Sequence, residues 1–320
     1  MSTLVRRAAV AVVLVSALAA CSAGGSAEAE PPAEGESAEP STITVEHAQG
    51  STEVPADPER VAVFDMGALD TLDTLDVDVV GVPKASVPSF LEEYTGEEYT
   101  DVGTLFEPDY EALARLDPDL VVVGFRSAAA YPELSKSYPT VDVTFDSTDF
   151  LAGLEESAGT LGEIFGKEDE VAEALAGIDQ RVEEIRPAGE AAGTGMVLQT
   201  SGGEVTMNGA ASRFGLIFTV LGVAEAAPDV ASDPHGEVVS FEVVRDANPD
   251  WLFVNDRDAA IGETGGQAAE QILDNELVAA TTAWQQDQVV YLDGERWYIV
   301  MHGLSNVEAM IDEVGQALGA

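Results

Sequence analysis

The sequence has few of the residue types that carry redox, metal or nucleophilic chemistry. Cys21 is the only cysteine, so no disulfide can form within the chain. There are three histidines and no His-rich loop, which argues against a dedicated zinc or manganese cage. No G-x-S-x-G, H-E-x-x-H or G-x-G-x-x-G motif stands in a suitable context. These absences favour a binding protein over an enzyme.

Basic side chains are also scarce. The chain has 14 Lys plus Arg against 59 Asp plus Glu, a formal net charge of −45. Such a charge repels nucleic acid and anionic membrane surfaces, so we expect no nucleic-acid partner. We expect most of the acidic residues to serve solubility. Because basic residues are few, each arginine is considered individually as a candidate site residue.

The N-terminus predicts export and anchoring. A basic segment, MSTLVRR, precedes thirteen small or apolar residues, too short a run for a comfortable membrane span. The run ends in LAAC, which resembles a bacterial lipobox with Cys21 as the lipidated residue. The alternative is an ordinary signal peptide with an incidental cysteine. We therefore predict a lipoprotein signal peptide over 1–20. The Ser/Ala/Gly/Glu/Pro composition of 22–40 predicts a disordered tether over 21–40.

The rest of the chain alternates short apolar strands with helical patterns. RVAVFD and LVVVGF predict strands in the first half, and TGMVLQT and WLFVND predict strands in the second. This alternation predicts an α/β fold with two Rossmann-like lobes and mostly parallel sheets, over 41–166 and 188–320. Apolar residues at helical spacing predict one long interdomain helix over 167–187, ended by Pro187 and Gly189, which would allow limited rocking of the lobes.

A repeated pattern links the two lobes. PDLVVVGFRS (118–127) and PDWLFVNDRD (249–258) both place an arginine eight positions after a proline, and Glu111 and Glu242 lie seven positions before each proline. The offset is 131 residues throughout, which indicates an internal duplication or two similar lobes. Arg126 and Arg257 follow the carboxyl ends of their strands, where parallel sheets bind ligands. Both are therefore expected to enter one cleft between the lobes and to meet an anion.

Other residues have the chemistry of a binding site. Arg213 lies at the start of a predicted helix, where backbone N–H groups favour anions; an exposed Arg paired with an acid is the alternative. His235 and Tyr298 have side chains suited to ferric iron, although a lone His is more often structural. Trp297 either lines the cleft or packs in the core. Lys84 is a further rim cation or simply a solvated lysine.

Several segments together resemble the iron-siderophore binding lipoproteins of ABC importers. They include FDMGALDTLDTLDVDVVGVPK, DVGTLFEPDYEALARLDPDLVVVG, LGEIFGKEDEV, SRFGLIFTVLGV, HGEVVSFEVV and NPDWLFVNDR. The resemblance covers about 43–316 and is greatest to the branch that binds petrobactin and related catecholates. It implies a ligand held in a shallow cleft between two lobes that are joined by one long helix.

The resemblance also assigns roles. It implies that Arg126, Arg213 and Arg257 face catecholate oxygens, and that His235 and Tyr298 complete the iron shell when the siderophore offers fewer than six donors. We expect no permanently bound cofactor, and Fe³⁺ to arrive as the ferric siderophore. One glutamate per lobe docks onto the permease in related importers, and the matching residues are Glu111 and Glu242, with Glu107 as a substitute for Glu111.

The expected partners are therefore a ferric siderophore, an ABC permease with its ATPase, and a membrane reached through the lipid anchor. A monomer is expected, in an extracytoplasmic location, more in keeping with the outer face of a Gram-positive membrane than with a periplasm. The alternative function keeps the fold and changes the cargo to ferric citrate, haem or cobalamin.

Overall fold

Apolar runs of three to six residues build two sheets, one in each half of the chain. The computed structural model describes residues 42–228 and 235–320. The predicted signal peptide, the tether and Cys21 lie outside the described residues. A hairpin that the sequence did not predict comes first, with antiparallel strands β1 (Thr42–His47) and β2 (Gly50–Pro55).

The N-terminal lobe contains an entirely parallel sheet. Its strands are β3 (Val61–Val63), β4 (Gly81–Val82), β5 (Thr100–Asp101), β6 (Leu120–Val123) and β7 (Thr140–Asp142), in the order β5-β4-β3-β6-β7. All four neighbouring pairs are parallel. The helices of this lobe are α1 (Met66–Thr74), α2 (Tyr110–Leu116), α3 (Tyr131–Leu134) and α4 (Phe150–Phe165). This lobe has the predicted α/β architecture.

The C-terminal lobe contains a mixed sheet. Its strands are β8 (Thr194–Ser201), β9 (Glu204–Asn208), β10 (Ala224–Glu225), β11 (Glu237–Val238), β12 (Trp251–Asp256) and β13 (Val289–Tyr291). The order is β11-β9-β8-β12-β13, with β10 also paired to β8. Strands β8, β12 and β13 are parallel, whereas β9 and β11 are antiparallel to their neighbours. The antiparallel edge follows from the Gly202–Gly203 turn between β8 and β9, a hairpin that the sequence pattern did not predict.

Helices in this lobe are shorter than the sequence predicted. They are α6 (Phe241–Ala247), α7 (Arg257–Ala260), α8 (Ala269–Leu273), α9 (Thr282–Gln285) and α10 (Leu304–Leu318). The apolar run after Arg213 forms one turn of π-helix, Leu216–Val220. The helical pattern over 268–284 is interrupted because Asn275 accepts the N–H groups of Leu277 and Val278, and Thr281 then caps α9.

The interdomain helix α5 spans Glu168–Ala191, about 36 Å. The prediction that Pro187 and Gly189 end it is wrong, since both lie inside the helix. Packing of the last turn on the C-terminal lobe explains why. A Cβ atom on Gly189 would lie 1.9 Å from the Leu221 carbonyl oxygen, so the helix backbone lies directly against that lobe.

The chain also connects the lobes a second time. Val300, at the end of a π-helix over Glu295–Val300, is buried in the core of the N-terminal lobe. Just beyond it, the Asp70 carboxylate of α1 accepts hydrogen bonds from Ser305 Oγ at 2.5 Å and from the Asn306 N–H at 3.0 Å. The expectation of a single connecting helix is therefore incomplete, because α10 packs on both α5 and α1.

The repeated sequence pattern has the same local structure in both lobes. Helices α2 and α6 have bounds that differ by 131 residues at both ends. Each ends at a residue with left-handed backbone, Asp117 (φ 49°, ψ 60°) and Asn248 (φ 45°, ψ 59°). A proline follows each of these residues, and then comes the strand that leads to an arginine. Among the described residues, no helix combines the length and apolar character that crossing a bilayer requires.

Candidate functional site

Local hydrogen bonds fix the two arginines that follow β6 and β12. Phe125, just before Arg126, has a positive φ of 46°, and its N–H donates to Thr144 Oγ1 at 2.6 Å. Arg257 begins α7 directly after β12, and the Asp256 carboxylate caps that helix by accepting the Ala259 N–H at 3.0 Å. The turns after the two strands therefore hold both arginines at the carboxyl edges of their sheets.

Three arginines converge on the ring of Tyr298. The guanidinium carbons of Arg126, Arg213 and Arg257 lie 5.1, 4.9 and 5.6 Å from the ring centre. Arg257 Nε donates a hydrogen bond to the Tyr298 hydroxyl at 2.9 Å. Arg126 donates to the carbonyl oxygens of Tyr298 and Ile299. The structure thus brings together four residues that the sequence predicted for one site, while their contact with a ligand stays a prediction.

The cluster shifts the ionisation of its members. Burial alone would raise the pKa of the Tyr298 phenol, but the hydrogen bond from Arg257 and the charges of all three arginines lower it below its ordinary value. Burial, followed by the charge of Arg126, lowers the pKa of Arg213. The site therefore holds a strong, partly desolvated positive field in which Tyr298 is the nearest compensating group.

A cleft of about 430 Å³ lies beside this cluster. Both lobes contribute to it. Its polar lining includes Arg126, Arg257, Tyr298 and Glu295, and the remaining residues are mostly apolar: Ala85, Ser86, Val87, Pro88, Leu105, Phe106, Ala260, Ile261, Gly262 and Ile299. The Glu295 carboxylate accepts hydrogen bonds from the Ser89 N–H at 3.0 Å and Oγ at 2.5 Å, which ties the two lobes at the cleft.

His235 lies at a second, smaller pocket of about 170 Å³. Arg213 lines this pocket, together with Phe125, Phe145, Ser147, Phe150, Met301 and His302. Arg213 also contacts Tyr298, so its side chain lies between the two pockets. The two expected iron ligands therefore line different pockets, His235 the smaller one and Tyr298 the larger one.

Two expected ligand-binding residues do not line the cleft. Trp297 is fully buried, its ring stacks on Phe214, and its indole N–H donates to Glu313 Oε2 at 2.6 Å. Of the two alternatives for Trp297, the structure supports packing in the core and not ligand contact, since helical geometry turns it into the core while Tyr298 faces the cleft. Lys84 Nζ donates a hydrogen bond to the Gly96 carbonyl oxygen at 2.5 Å. Its neighbours Ala85 and Ser86 line the cleft.

The two glutamates of the repeat are exposed in the first turns of α2 and α6. The Glu111 side chain is 91% exposed, and its carboxylate is 3.9 Å from Arg115. A hydrogen bond from the Ser240 side chain lowers the pKa of Glu242. Neither carboxylate is committed to the core, so both are available to an external partner.

Sequence reasoning missed the apolar lining of the cleft. Phe106 and Ile261 line it and are exposed, and a large apolar residue in the segment TLFEPD, next to Pro108, was the available sign. Over 42–228 and 235–320, no group of three or more His, Cys, Asp or Glu side chains is placed to hold a metal ion.

Comparisons with known proteins agree with this architecture. A family model described as periplasmic binding protein matches residues 61–295. The petrobactin-binding protein YclQ of Bacillus subtilis is 40% identical over 86% of this chain and 88% of its own. The ferric-anguibactin-binding protein FatB of Vibrio anguillarum is 34% identical over 85% and 86%.

Solved structures give the same result. The crystal structure of YclQ superposes with a TM-score of 0.84 at 39% identity, covering 88% of this chain and 99% of that one. The catecholate-siderophore binding protein VctP of Vibrio cholerae gives a TM-score of 0.80 at 34% identity, covering 85% and 99%. These relatives are binding proteins rather than enzymes. The chain belongs to the periplasmic binding protein family.

Proposed function

We propose that this protein captures a ferric catecholate siderophore in the cleft between its lobes and delivers it to the permease of an ABC importer. The observation that carries the proposal is the convergence of Arg126, Arg213 and Arg257 on Tyr298. Guanidinium groups present planar forks of N–H donors that match paired catecholate oxygens. The relatives named above bind petrobactin, anguibactin or catecholate siderophores, which supports this cargo.

The charge of the cluster suits an anionic complex. Without a ligand, three like charges lie around one tyrosine; Arg213 is partly buried, and Arg257 is also paired with Asp258 at 3.4 Å. A ferric catecholate would bring oxygens that carry negative charge to these donors and offset their mutual repulsion. Binding would therefore relieve an unfavourable arrangement in the free protein as well as form new hydrogen bonds.

Tyr298 and His235 would act on the iron itself. The lowered pKa of Tyr298 favours the phenolate form, which is a good ligand for Fe³⁺. His235, at the neighbouring pocket, would offer a second protein ligand. A tetradentate bis-catecholate leaves two iron positions unfilled, so this pair would complete its shell. A hexadentate ligand has no need of either residue.

Ferric citrate is the second candidate, because the same three arginines would bind its carboxylates. When citrate occupies all coordination positions of the iron, Tyr298 and His235 would not act as iron ligands. Haem and cobalamin are less suited to a cluster of three arginines.

Delivery would use the exposed glutamates. Glu111 and Glu242 occupy equivalent helix positions in the two lobes, so they would meet arginines on two permease subunits and orient the cleft over the channel. We further propose that Cys21 carries a lipid. The folded body would work as a monomer on the extracytoplasmic side of the membrane, and the ATPase of the importer would drive transport through the permease.

Titration of the purified protein with different ferric complexes tests the cargo. Quenching of the three tryptophans would give the affinity, and the visible charge-transfer band would report the iron environment. We expect tight binding of the iron(III) complex of a linear bis-catecholamide and weaker binding of ferric citrate. Failure to bind any ferric catecholate would refute the proposed cargo.

A further inference from the structure

The cleft has an apolar part that the arginine cluster does not explain. Five large apolar side chains are exposed among the described residues, and two of them, Phe106 and Ile261, line this cleft. Phe106 is the most exposed of the five, at 68%. It comes from the N-terminal lobe and Ile261 from the C-terminal lobe. Both sides of the cleft therefore present uncovered apolar surface.

The turn that carries Phe106 is held firmly. The Thr104 N–H donates to the Glu107 carbonyl oxygen at 3.0 Å, and Thr104 Oγ1 accepts the N–H groups of Phe106 at 3.2 Å and Glu107 at 2.9 Å. Gly103 has a φ of 111° and bridges to Pro108. A Cβ on Gly103 would lie 2.5 Å from the Glu107 carbonyl oxygen, so only glycine fits this turn.

A fixed backbone under an exposed phenylalanine favours binding. The backbone at Phe106 is held by the hydrogen bonds of the turn, so a ligand that covers the side chain does not have to order a loose loop. The apolar area of an aromatic side chain is then removed from water when the ligand enters. The neighbouring Leu105 is buried and also borders the cleft, which supports the turn from beneath.

We propose that Phe106 is a specificity-determining residue that packs on an aromatic ring of the bound ferric complex, with Ile261 contacting the complex from the other lobe. This inference rests on the proposed function and adds to it. The arginines respond to negative charge, and any anionic ferric complex can satisfy them. Only a complex that carries aryl groups gains from Phe106, so the apolar part of the cleft selects catecholates over aliphatic carboxylate complexes.

The test compares Phe106→Ala with the wild type on two ferric complexes. For the iron(III) complex of a linear bis-catecholamide we expect the affinity to fall about tenfold or more, since the burial of a phenylalanine side chain is lost. For ferric citrate we expect no change. Phe106→Leu should recover part of the loss, because it restores apolar area without the aromatic ring.

Tyr110→Ala is the matched control. Tyr110 is also an exposed aromatic residue, at 46%, but it begins α2 and is not among the residues that line the cleft. The affinity of the Tyr110→Ala variant for both ferric complexes should equal that of the wild type. Thermal unfolding of each variant would show that the fold is kept, as expected for exposed positions.

The remaining outcomes would overturn the inference. Equal losses on both complexes would mean that Phe106 only shapes the cleft. Unchanged affinity would remove the residue from ligand binding, and unchanged affinity with reduced iron uptake in cells would assign it to the permease contact. If the wild type itself binds no ferric catecholate, the proposed function fails, whereas wild-type binding with an unaffected Phe106→Ala variant refutes this inference alone.

Discussion

Arg213 should make the free protein less stable while making the complex tighter. It is the arginine of the cluster whose pKa is lowered, first by burial and then by the charge of Arg126. Among the residues that the structure describes, its guanidinium contacts the Tyr298 ring and the Met301 sulfur. We predict that Arg213→Met weakens ligand binding strongly and leaves the free protein as stable as the wild type, or more stable.

The magnitude follows from the distances. Each guanidinium carbon lies within 5.6 Å of the same ring centre. Two guanidinium carbons can therefore be separated by at most twice that distance, about 11 Å. At an effective dielectric constant of 20, this separation corresponds to roughly 1.5 kcal/mol of repulsion between each pair of arginines. Removal of Arg213 relieves two such pairs, about 3 kcal/mol, and loses a cation–π contact of about 0.5–2 kcal/mol.

Methionine keeps most of the apolar stem, so little packing is lost. The net change in the free energy of unfolding is therefore about 1–2.5 kcal/mol in favour of the variant, which corresponds to a melting temperature higher by about 2–4 °C for a body of this size. Binding loses a desolvated charge partner worth about 2–5 kcal/mol, so the affinity should fall about thirtyfold or more.

Calorimetry of the free protein and fluorescence titration with a ferric catecholate measure the two effects. Arg245→Met is the matched control, because Arg245 is an exposed arginine of α6 paired with Asp246 and should affect neither quantity appreciably. A clear loss of stability in Arg213→Met, or unchanged affinity, would refute the account of the cluster as an unsatisfied positive site.

Three further predictions concern other residues. Tyr298 should ionise below the ordinary tyrosine value of 10, and Arg257→Ala should move that ionisation to higher pH, as measured by ultraviolet difference absorbance. Because its pKa is lowered in the folded state, the stabilisation from Tyr298 ionisation is fully present above pH 10 and is lost as the pH falls through the lowered value; an unshifted titration would contradict this. Trp297→Phe should lower the free energy of unfolding by about 2–4 kcal/mol and leave affinity unchanged, whereas a loss of affinity without a loss of stability would return Trp297 to the ligand site. The double change Glu111→Ala and Glu242→Ala should keep siderophore affinity and abolish iron uptake in cells, and normal uptake would show that both are only helix-terminal charges.

Two of the arginines that sequence reasoning located share one property, a fixed place relative to a strand end. Arg126 and Arg257 follow apolar runs by a repeated spacing, and parallel strands bring such positions to one edge of a sheet. The fold class, the two lobes and the convergence of the arginines could therefore be predicted. The pattern is local and periodic, so it survives without knowledge of the tertiary structure.

The rest depended on contacts between distant segments. Trp297 and Tyr298 are adjacent in sequence, and only the packing of Phe214 and Glu313 decides which of them faces the core. Helix α5 continues through Pro187 because its last turn packs against the C-terminal lobe. The lining role of Phe106 likewise required both lobes, since an exposed aromatic residue in a loop has no periodic pattern.

The return of the C-terminal segment makes the first-made lobe dependent on the last-made residues. Asp65, in the N-terminal lobe, is buried with an oxygen 2.7 Å from His302 Nε2, and the core beside it includes Val300. Until those residues are synthesised, that lobe has a gap in its core and a buried carboxylate without its partner. The hydrogen bonds from Ser305 and Asn306 to Asp70 of this lobe join residues more than 200 positions apart in the sequence. Contacts of such long separation slow folding. The lobes should therefore not fold one after the other as the chain is made, and a fragment that ends at α4 or α5 should stay unfolded when expressed alone.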